Sequence, residues 1–504
     1  MDAITLGIDL ATANARCVAI DTATGTLLAS ASVPLPVPVR SAGGVSRQRS
    51  DYASVAFTVT ADVCRLLGSA ATRVRALSVT GTSGTVVPCS VDASPVGDAR
   101  LYDDTSSAGV VSVLGLANAS SLGRMLSLQN QFRRSDGRGP DLMLTTADVV
   151  AAALVGTAVA SDTSHSLKAG IDLGRRTWPV EAMASLGLST TALPDLVPPG
   201  QVLGIVSPLM ASSLGLPVNV VVVAGMTDGC TAQLGAGAIH PGDTMGVLGT
   251  TLVIKGVSPV ELRTPDGAVY SHLSPSGDFW PGGASNSGAG VLTAEFPGRD
   301  LAELDRAAAK HGPSTIVRYP LARAGERFPV ADPTLHSMTT GQPVDEVDAY
   351  RAILEGVAFV ERLGIETLAR LGVRAHRHMI TGGATRSATW NTIRASVLAP
   401  VLVGAPDLRS GATVVQAPTA GSAVGAALLA AHALARSSPG PEPRLTETVD
   451  RLAATPAPVP ADPTQADQLE QSYGAFLALL DASARPSQTT STAEKSAEGR
   501  PHHV

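Results

Sequence analysis

Residues 4–21 read ITLGIDLATANARCVAID, in which two apolar stretches flank a short turn of small residues. Apolar stretches of this length on either side of a turn predict paired strands, and a second turn at residues 22–25 precedes a third apolar stretch at residues 27–33. The chain therefore begins with a predicted β-meander. Asp9 stands at the end of its first strand, and Thr12 lies in its first turn.

A similar pattern begins again near the middle of the chain. Apolar residues at 243–248 and 252–256 flank the turn Gly249-Thr250-Thr251. Before this turn, a predicted buried strand at residues 219–225 leads to Asp228 and a helix of small residues. The later predicted elements are a helix at 349–371, a strand at 378–381, a helix opened by Ser387 and a helix at 421–434. Each half thus opens with strand–turn–strand and continues as α/β, which indicates weak internal duplication.

The composition excludes several classes of protein. The chain has 504 residues, a net charge of −6, 44% hydrophobic residues and 16% charged residues. This balance is typical of a globular α/β enzyme and does not favour binding to nucleic acid or to an anionic membrane. The apolar stretches are too short to span a bilayer, the N-terminus lacks a secretory pattern, and the four cysteines are scattered. We therefore expect a soluble cytoplasmic protein.

The composition changes after residue 437, where Pro, Ala, Thr and Asp become frequent. Residues 437–504 are therefore predicted to form a linker with one helix at residues 466–482 and a disordered tail at residues 485–504.

The Asp9 turn has a chemical interpretation. A carboxylate at a strand end can face a phosphate group through Mg²⁺, while turn amides and Thr12 hold phosphate oxygens. Gly249-Thr250-Thr251 occupies the matching turn of the second pattern. Two such turns facing each other across a cleft would hold a polyphosphate from both sides. Taken alone, each turn is equally compatible with an ordinary hairpin, in which Asp9 only caps a β-turn.

Asp228 follows a buried strand and opens a helix of small residues. The positive end of the helix dipole would keep its carboxylate ionised, and an ionised carboxylate in a cleft can accept the hydroxyl proton of a kinase substrate. The alternative that stays open is a helix N-cap, a position that Asp often occupies.

Glycine segments mark further candidate sites. Gly382-Gly383-Ala384 permits close approach of a flat ligand before Ser387 caps a helix, and Gly282-Gly283-Ala284-Ser285-Asn286 is a second such segment. The sequence has no complete P-loop and no GxGxxG after its first strand, which argues against a Walker-type ATPase and a Rossmann dehydrogenase. The ten histidines show no HxxxH or HExxH spacing, so no structural metal site is expected.

Together these segments resemble the FGGY carbohydrate-kinase family over residues 4–434. The resemblance rests on four segments in the family's order and approximate spacing: Gly7-Ile8-Asp9 with Thr12, Ala224-Gly225 with Asp228-Gly229, Leu248-Gly249-Thr250-Thr251, and Thr381-Gly382-Gly383-Ala384. It implies an α/β, two-domain actin-like (ribonuclease-H-like) ATPase fold with a cleft between the domains. The expected domains are an N-terminal sugar-binding domain at residues 1–236 and a C-terminal nucleotide-binding domain at residues 237–436.

Further segments are similar to one branch of the family, the pentulose kinases that act on D-ribulose or D-xylulose. They are Gly81-Thr82-Ser83, Leu167-Lys168-Ala169-Gly170-Ile171-Asp172, Tyr270-Ser271-His272, Gly282-Gly283-Ala284-Ser285-Asn286 and Gly325-Glu326-Arg327-Phe328-Pro329. Typical bacterial xylulokinases carry Gln-Met-His where this chain has Thr82-Ser83-Gly84, which favours the ribulokinase-like branch.

Carried over by position, the resemblance implies ATP and Mg²⁺ as cofactors. It implies that Asp228 is the general base and that Asp9 and Asp228 lie at the metal. The residues implied to bind the nucleotide are Thr12, Gly249, Thr250, Thr251, Gly382, Gly383 and Ser387. The residues implied to bind the sugar are Thr82, Ser83, Asp104 and Asp228.

The chain departs from the family pattern at three places. Ala11 stands where glycine is usual, Thr105-Ser106 follow Asp104 where an arginine is common two residues after the aspartate, and Ser387 stands where Asn or Asp is frequent. The expected reaction is phosphorylation of a pentulose by ATP, with a small-molecule sugar as the partner and a homodimer as the assembly. The alternatives are a kinase for L-ribulose, erythritol or glycerol, a sugar- or nucleotide-binding protein that has lost catalysis, and an actin-like filament or chaperone ATPase.

Overall fold

The computed structural model describes residues 3–41, 44–47, 51–107, 109, 120–133, 139–402, 414–417 and 421–484. The α-helices in these ranges are α1 Asp51–Leu67, α2 Leu122–Gln131, α3 Thr146–Val155, α4 Val180–Ser185, α5 Pro208–Leu214, α6 Asp228–Ala236, α7 Gly290–Glu295, α8 Leu301–His311, α9 Glu346–Arg370, α10 Ala388–Leu398, α11 Ser422–Arg436, α12 Leu445–Leu452 and α13 Ala466–Ala484. Short 3-10 helices lie at Gly68–Arg73, His165–Ala169, Gly383–Arg386, Ala399–Val401 and Pro463–Gln465.

The strands in the same ranges are β1 Ile4–Leu10, β2 Asn14–Asp21, β3 Leu27–Pro34, β4 Val39–Ser41, β5 Gly44–Arg47, β6 Val74–Gly81, β7 Val87–Cys89, β8 Ala99–Arg100, β9 Leu142–Leu144, β10 Ser161–Asp162, β11 Leu196–Val197, β12 Val202–Ile205, β13 Val221–Val223, β14 Asp243–Leu248, β15 Leu252–Gly256, β16 Tyr270–Leu273, β17 Phe279–Ser285, β18 Arg318–Tyr319, β19 Met338–Thr339, β20 Arg377–Thr381, β21 Val414–Gln416 and β22 Ala457–Pro458.

The first sheet has six strands in the order β12-β13-β6-β1-β2-β3. β1 pairs antiparallel with β2 and parallel with β6, and every residue of β1 is buried. Alternate side chains such as Ile4 and Ile8 join the core that contains α1, whereas Thr5 donates a hydrogen bond to the Ala427 carbonyl of α11. Helices therefore cover both faces of the sheet at β1, which explains its continuous apolar sequence.

The second sheet repeats this arrangement. Its order is β16-β17-β15-β14-β20-β21-β22, with β14 antiparallel to β15 and parallel to β20. The long helix α9 packs over it and supplies ten of the buried residues of the core on that side. The duplicated strand–turn–strand pattern and the α/β class predicted from the sequence are confirmed.

The two sheets are connected through α6 and α11, which pack closely against each other. Glycines permit this approach: a Cβ added at Gly425 would lie 1.7 Å from the Thr231 carbonyl oxygen, and one added at Gly235 would lie 2.8 Å from the Gly421 carbonyl oxygen. α11 also contacts β1 directly, because a Cβ added at Gly7 would lie 1.9 Å from the Ala423 carbonyl oxygen. The backbone of α11 therefore packs directly against the backbones of α6 and β1, where the two halves of the chain join.

The C-terminal region contains more structure than the sequence predicted. The predicted helix at residues 466–482 is confirmed as α13, whose Phe476 is buried against the core of the second sheet. The linker prediction is corrected at α12, an amphipathic helix whose Leu445, Val449 and Leu452 are buried against α11. The predicted tail at residues 485–504 lies outside the described residues.

None of the helices within the described ranges is both long enough and apolar enough to cross a bilayer. The cytoplasmic location and the homodimer stay predictions.

Candidate active site

The structure places Asp9 and Asp228 at the same edge of the first sheet. Asp9 lies near the end of β1, and Asp228 begins α6 after β13. β1 and β13 both run parallel to β6, which lies between them, and a bridge between Gly81 and Thr227 extends this alignment. The carboxyl ends of parallel strands meet at one edge, where α/β proteins commonly bind their ligands.

Asp9 lies in a poorly hydrated environment. The residue is 7% exposed, and burial raises the pKa of its carboxyl to about 7. The negative charge of Asp228 acts in the same direction, whereas the positive charge of Arg16 opposes it. Oδ1 of Asp9 is buried and has no hydrogen-bond partner among the described residues. A carboxylate oxygen of this kind is costly unless a ligand completes its coordination.

Asp228 is held differently from a capping residue. The N-cap of α6 is Thr227, and within the described ranges Oδ1 of Asp228 accepts a hydrogen bond only from the next amide, that of Gly229, at 2.7 Å. Burial raises the pKa of Asp228, whereas this amide, the positive charges of Lys168 and Lys255 and the electrostatic interaction with His165 lower it. The helix N-cap alternative is therefore wrong for Asp228, and its carboxylate retains the capacity to meet a ligand.

The two carboxylates fit a magnesium site. Mg²⁺ is commonly held by one or two carboxylates together with substrate phosphates and water. Asp9 offers an oxygen without a partner among the described residues, and a cation between Asp9 and Asp228 would remove the repulsion that raises the pKa of Asp9. Groups of three or more His, Cys, Asp and Glu suitable for a metal are not found in the described ranges, so the nucleotide and water would supply the remaining ligands.

The turn that contains Thr12 is held by an arginine that sequence reasoning missed. Nη2 of Arg47 donates to the Thr12 carbonyl oxygen at 2.6 Å, and the arginine is only 2% exposed. The Thr12 hydroxyl lies 3.5 Å from the Tyr102 hydroxyl. Ala11 is not among the residues with positive φ, so this turn has no conformational need for the glycine that is usual in the family.

The turn at Gly249, Thr250 and Thr251 lies beside the glycine turn that follows β20. The carbonyl oxygens of Gly249 and Thr250 accept hydrogen bonds from Ala289 and Gly290 at 2.9 and 3.0 Å, and Thr250 is exposed. Gly382 has a φ of +95°, and a Cβ there would lie 2.4 Å from the Leu248 carbonyl oxygen. The parallel pairing of β14 with β20 thus brings together Gly249, Thr250, Thr251, Gly382 and Gly383.

Ser387 has a structural role at the start of α10. Its hydroxyl accepts from the Trp390 amide at 2.9 Å as the N-cap of this helix, and it donates to Oδ1 of Asp305 at 2.6 Å. The N-cap predicted at this position is confirmed. Its contact with adenosine stays a prediction.

Two of the predicted sugar residues follow β6. The Thr82 hydroxyl lies 3.0 Å from that of Thr85, and the Ser83 carbonyl oxygen accepts from Nζ of Lys168 at 3.1 Å. Oγ of Ser83 is buried and, in the part of the chain that the structure describes, has no hydrogen-bond partner. Ser83 therefore offers a polar group that a ligand can satisfy.

Asp104 is occupied by its own loop. Its carboxylate accepts from the Val45 amide at 2.8 Å and from the Ser106 amide and hydroxyl at 3.0 and 2.6 Å. A guanidinium reaches this loop from α2 instead of from the position after Asp104: Nη1 of Arg124 donates to the Asp104 carbonyl oxygen at 3.1 Å. The contact between Asp104 and a sugar stays a prediction, and its role in the structure is to hold the loop.

Residues of the two sheets meet beside Asp228. The Thr227 amide donates to Oγ of Ser164 at 3.1 Å, and the same Oγ lies 3.0 Å from Nδ1 of His272 on β16. Burial lowers the pKa of His272 well below its ordinary value, and the positive charges of Lys255 and Lys168 add to this effect. His272 is therefore expected to be neutral at pH 7.

Comparison with known proteins identifies the family. Residues 128–235 match the N-terminal domain of the FGGY family of carbohydrate kinases, and residues 247–434 match its C-terminal domain. Together the two matches cover more than half of the chain. The chain belongs to the FGGY family of carbohydrate kinases.

Three FGGY relatives illustrate the range of named activities. The chain is 27% identical to the xylulose kinase of Escherichia coli (strain K12), over 56% of this chain and 56% of that protein. It is 28% identical to the ribulokinase of Mycolicibacterium smegmatis, over 56% of this chain and 51% of that protein. The chain thus spans about half the length of these two relatives. It is 26% identical to the erythritol kinase of Brucella abortus (strain 2308), over 94% of this chain and 95% of that protein.

The FGGY fold is also found by structure. The chain is similar to the crystal structure of a xyloylose kinase from Brucella ovis, with a TM-score of 0.83 at 21% identity, covering 95% of this chain and 99% of that chain. At this identity the likeness shows the fold alone. The predicted two-domain actin-like ATPase fold is confirmed.

Two of the segments that resemble pentulose kinases within the FGGY family are bonded to each other. The buried Glu326 carboxylate accepts from the Ser285 hydroxyl at 2.6 Å, from the Asn286 amide at 2.7 Å and from the Tyr319 hydroxyl at 2.9 Å. A Cβ at Gly283 would lie 2.4 Å from Cγ of Phe328. The two segments therefore form one packed unit, which explains why they occur together in the sequence.

Sequence reasoning missed two lysines and a histidine that act electrostatically on Asp228. Lys168 and Lys255 are two of only four lysines in the chain, which is the one signal that the sequence offered. Burial lowers the pKa of Lys168 to about 8. His165 holds Oδ2 of Asp162 at 2.6 Å through Nδ1 and accepts from the Gly81 amide at 3.2 Å through Nε2, and no sequence pattern pointed to this arrangement.

Proposed function

We propose that this protein phosphorylates a pentulose, D-ribulose or D-xylulose, to its 5-phosphate at the expense of ATP. The observation that carries the proposal is the pair of carboxylates, Asp9 and Asp228, at the ligand-binding edge of the first sheet. One has a buried oxygen without a partner among the described residues, and the other is flanked by positive charges. That oxygen, on Asp9, suits a metal ion that contacts the phosphates, and the charge environment of Asp228 suits a base that accepts a hydroxyl proton.

The proposed reaction uses Asp228 as the general base. As the sugar hydroxyl oxygen forms its bond to the γ-phosphorus, the hydroxyl proton passes to Asp228 and the bond to ADP breaks. Asp9 and Asp228 would hold Mg²⁺, which neutralises charge on the phosphate oxygens when it is bound. Most of the remaining work is alignment of the two substrates by the protein.

The nucleotide would be aligned by the two turns already described. Thr12 and the turn at Gly249, Thr250 and Thr251 would hold the phosphates, and Gly382, Gly383 and Ser387 would line the adenosine pocket. The adjacency of the turns after β14 and β20 supports this role, because it gathers small residues around one place.

The sugar is proposed to bind at Ser83 and Thr82, on the side of Asp228 where Lys168 lies. The Ser83 hydroxyl, which has no partner among the described residues, supports this placement. D-Ribulose is the proposed preferred substrate, because the short residues at 82–84 stand where typical xylulokinases carry larger ones. The second candidate is a polyol such as erythritol, which the long match to the Brucella abortus erythritol kinase favours.

A coupled assay of ADP release tests the proposal. The panel comprises D-ribulose, D-xylulose, L-ribulose, erythritol and glycerol, each with MgATP, and a reaction without sugar gives the rate of ATP hydrolysis. We expect D-ribulose to give the highest kcat/KM, D-xylulose the next highest, and glycerol a low value. Higher kcat/KM for glycerol or erythritol than for both pentuloses would contradict the pentulose assignment. Nucleotide binding without ADP release on any sugar would favour a binding protein that has lost catalysis.

A further inference from the structure

Lys255 enters the site from the second sheet. It lies on β15, paired with Met245 on β14 and with Gly282 on β17, and the residue is 5% exposed. A Cβ added at Gly282 would lie 3.0 Å from Cγ of Lys255, and one added at Gly229 would lie 3.4 Å from its Cε. Gly282 thus leaves room for the start of the lysine stem, and its end lies against Gly229 in the first turn of α6.

The ammonium group of Lys255 has no protein partner in the described part of the chain. Among these residues, no hydrogen-bond acceptor lies within reach of Nζ and no carboxylate forms an ion pair with it. Its charge nevertheless acts on Asp228, Lys168 and His272, so the group lies within their electrostatic range. The residue is only 5% exposed, so its ammonium group has little room for hydration, and an oxygen-bearing ligand would replace the missing water contacts.

The surroundings of Lys255 indicate which ligand this is. The positive charge that acts on Asp9 is Arg16, on the proposed phosphate side, whereas Lys255 acts together with Lys168 and His165 on Asp228. Lys168 in turn contacts the backbone of Ser83, whose hydroxyl also lacks a partner among the described residues. Lys168 thus interacts with a residue from each half of the chain, electrostatically with Lys255 and by a hydrogen bond with Ser83.

We propose that Lys255 donates a hydrogen bond to an oxygen atom of the acceptor sugar and is a specificity-determining residue contributed by the second sheet. This inference rests on the proposed function and extends it. The ligand oxygen is the carbonyl or a hydroxyl of a neutral ketose. A ligand held by Ser83 and by Lys255 at once would connect the N-terminal and C-terminal parts of the chain.

Calorimetric titration of D-ribulose in the presence of saturating ADP tests the inference without turnover. Lys255→Met keeps the stem between the two glycines and removes the ammonium group. We expect it to weaken D-ribulose binding about ten- to a hundredfold, the range for a hydrogen bond to a charged group, and to leave the Kd for ADP and the Tm unchanged. Lys310→Met, at an exposed lysine of α8, is the matched control and should not change either Kd.

Measuring Lys255→Met in the Asp228→Asn background distinguishes a direct contact between Lys255 and the sugar from an effect of Lys255 on the charge of Asp228. If Lys255 contacts the sugar, Lys255→Met weakens D-ribulose binding in this background as well. Loss of the effect there, or equal affinities of the Lys255→Met and unsubstituted proteins, would overturn the inference while the proposed function stands. D-Gluconate could instead bind more tightly than D-ribulose and lose this advantage in Lys255→Met. That result would overturn the assignment of a neutral ketose and would indicate that Lys255 binds a carboxylate. If the unsubstituted protein fails to bind D-ribulose, the pentulose assignment itself is wrong.

Discussion

Asp228→Asn separates catalysis from folding. The amide oxygen of Asn can still accept the Gly229 hydrogen bond, which measures 2.7 Å in the structure, and within the described ranges the Asp228 side chain forms no ion pair that the substitution would break. The bond from the Ser422 hydroxyl is made to the Asp228 backbone carbonyl, at 3.0 Å, and is unaffected. We therefore expect the free energy of unfolding to change by less than about 1 kcal/mol.

The rate of phosphoryl transfer should change far more. Asn cannot accept a proton, and loss of a general base typically slows a reaction about 10²- to 10⁴-fold. Rapid-quench single-turnover measurement with saturating MgATP and D-ribulose reports this step directly, and calorimetry should give an unchanged Kd for ADP. Asp467→Asn, at an exposed aspartate of α13, is the control. Transfer at the unsubstituted rate in Asp228→Asn would refute the role of Asp228 as the base.

Three further substitutions test other parts of the structure. Asp9→Ala should raise the Mg²⁺ concentration needed for half-maximal activity at fixed ATP, and an unchanged titration would make Asp9 a turn residue only. Ser83→Ala should raise KM for D-ribulose several-fold, by about 0.5–1.5 kcal/mol, without changing KM for ATP, and equal effects on both would contradict a sugar contact. Arg394→Met should cost about 3–5 kcal/mol in urea unfolding at pH 7, because it leaves buried Glu361 without the guanidinium that donates to it at 2.7 and 2.6 Å. Burial would raise the pKa of Glu361, but Arg394 and His378 lower it to about 2, so the stability that this pair supplies is present above the ordinary value of 4.5 and is lost as pH falls towards 2. The cost of the substitution should accordingly be smaller at pH 4 than at pH 7, and a cost independent of pH would contradict this pairing.

The duplicated architecture could be predicted because its signals are local. The turns at residues 11–13 and 249–251 interrupt apolar stretches, and each stretch became the strand that its pattern predicts. Asp9 and Asp228 could be selected for a related reason, since Asp9 lies near the end of a buried strand and Asp228 follows one. Parallel pairing then places such residues at one edge of the sheet. This holds for any parallel sheet and can therefore be expected before the structure is known.

The remaining site residues depend on contacts that sequence spacing does not encode. Lys255 lies in an otherwise apolar strand, and its stem lies against glycines 27 residues later on β17 and 26 residues earlier on α6. Asp104 was selected as a sugar residue by resemblance, yet its carboxylate is bound by the Val45 amide 59 positions away. α12 was missed because its amphipathic pattern is only eight residues long and is flanked by segments rich in proline and alanine.

The contact between α6 and α11 has a mechanical consequence. Side-chain ridges that interdigitate hold two helices in register, whereas these helices touch through peptide groups at Gly235 and Gly425. At these two glycines no interdigitating side chains have to separate, which favours rotation of one helix over the other. Asp228 is the first residue of α6 and is tied to Ser422 at the start of α11. Asp228, the proposed base, therefore lies at this contact, where a rotation of one helix over the other would displace it least.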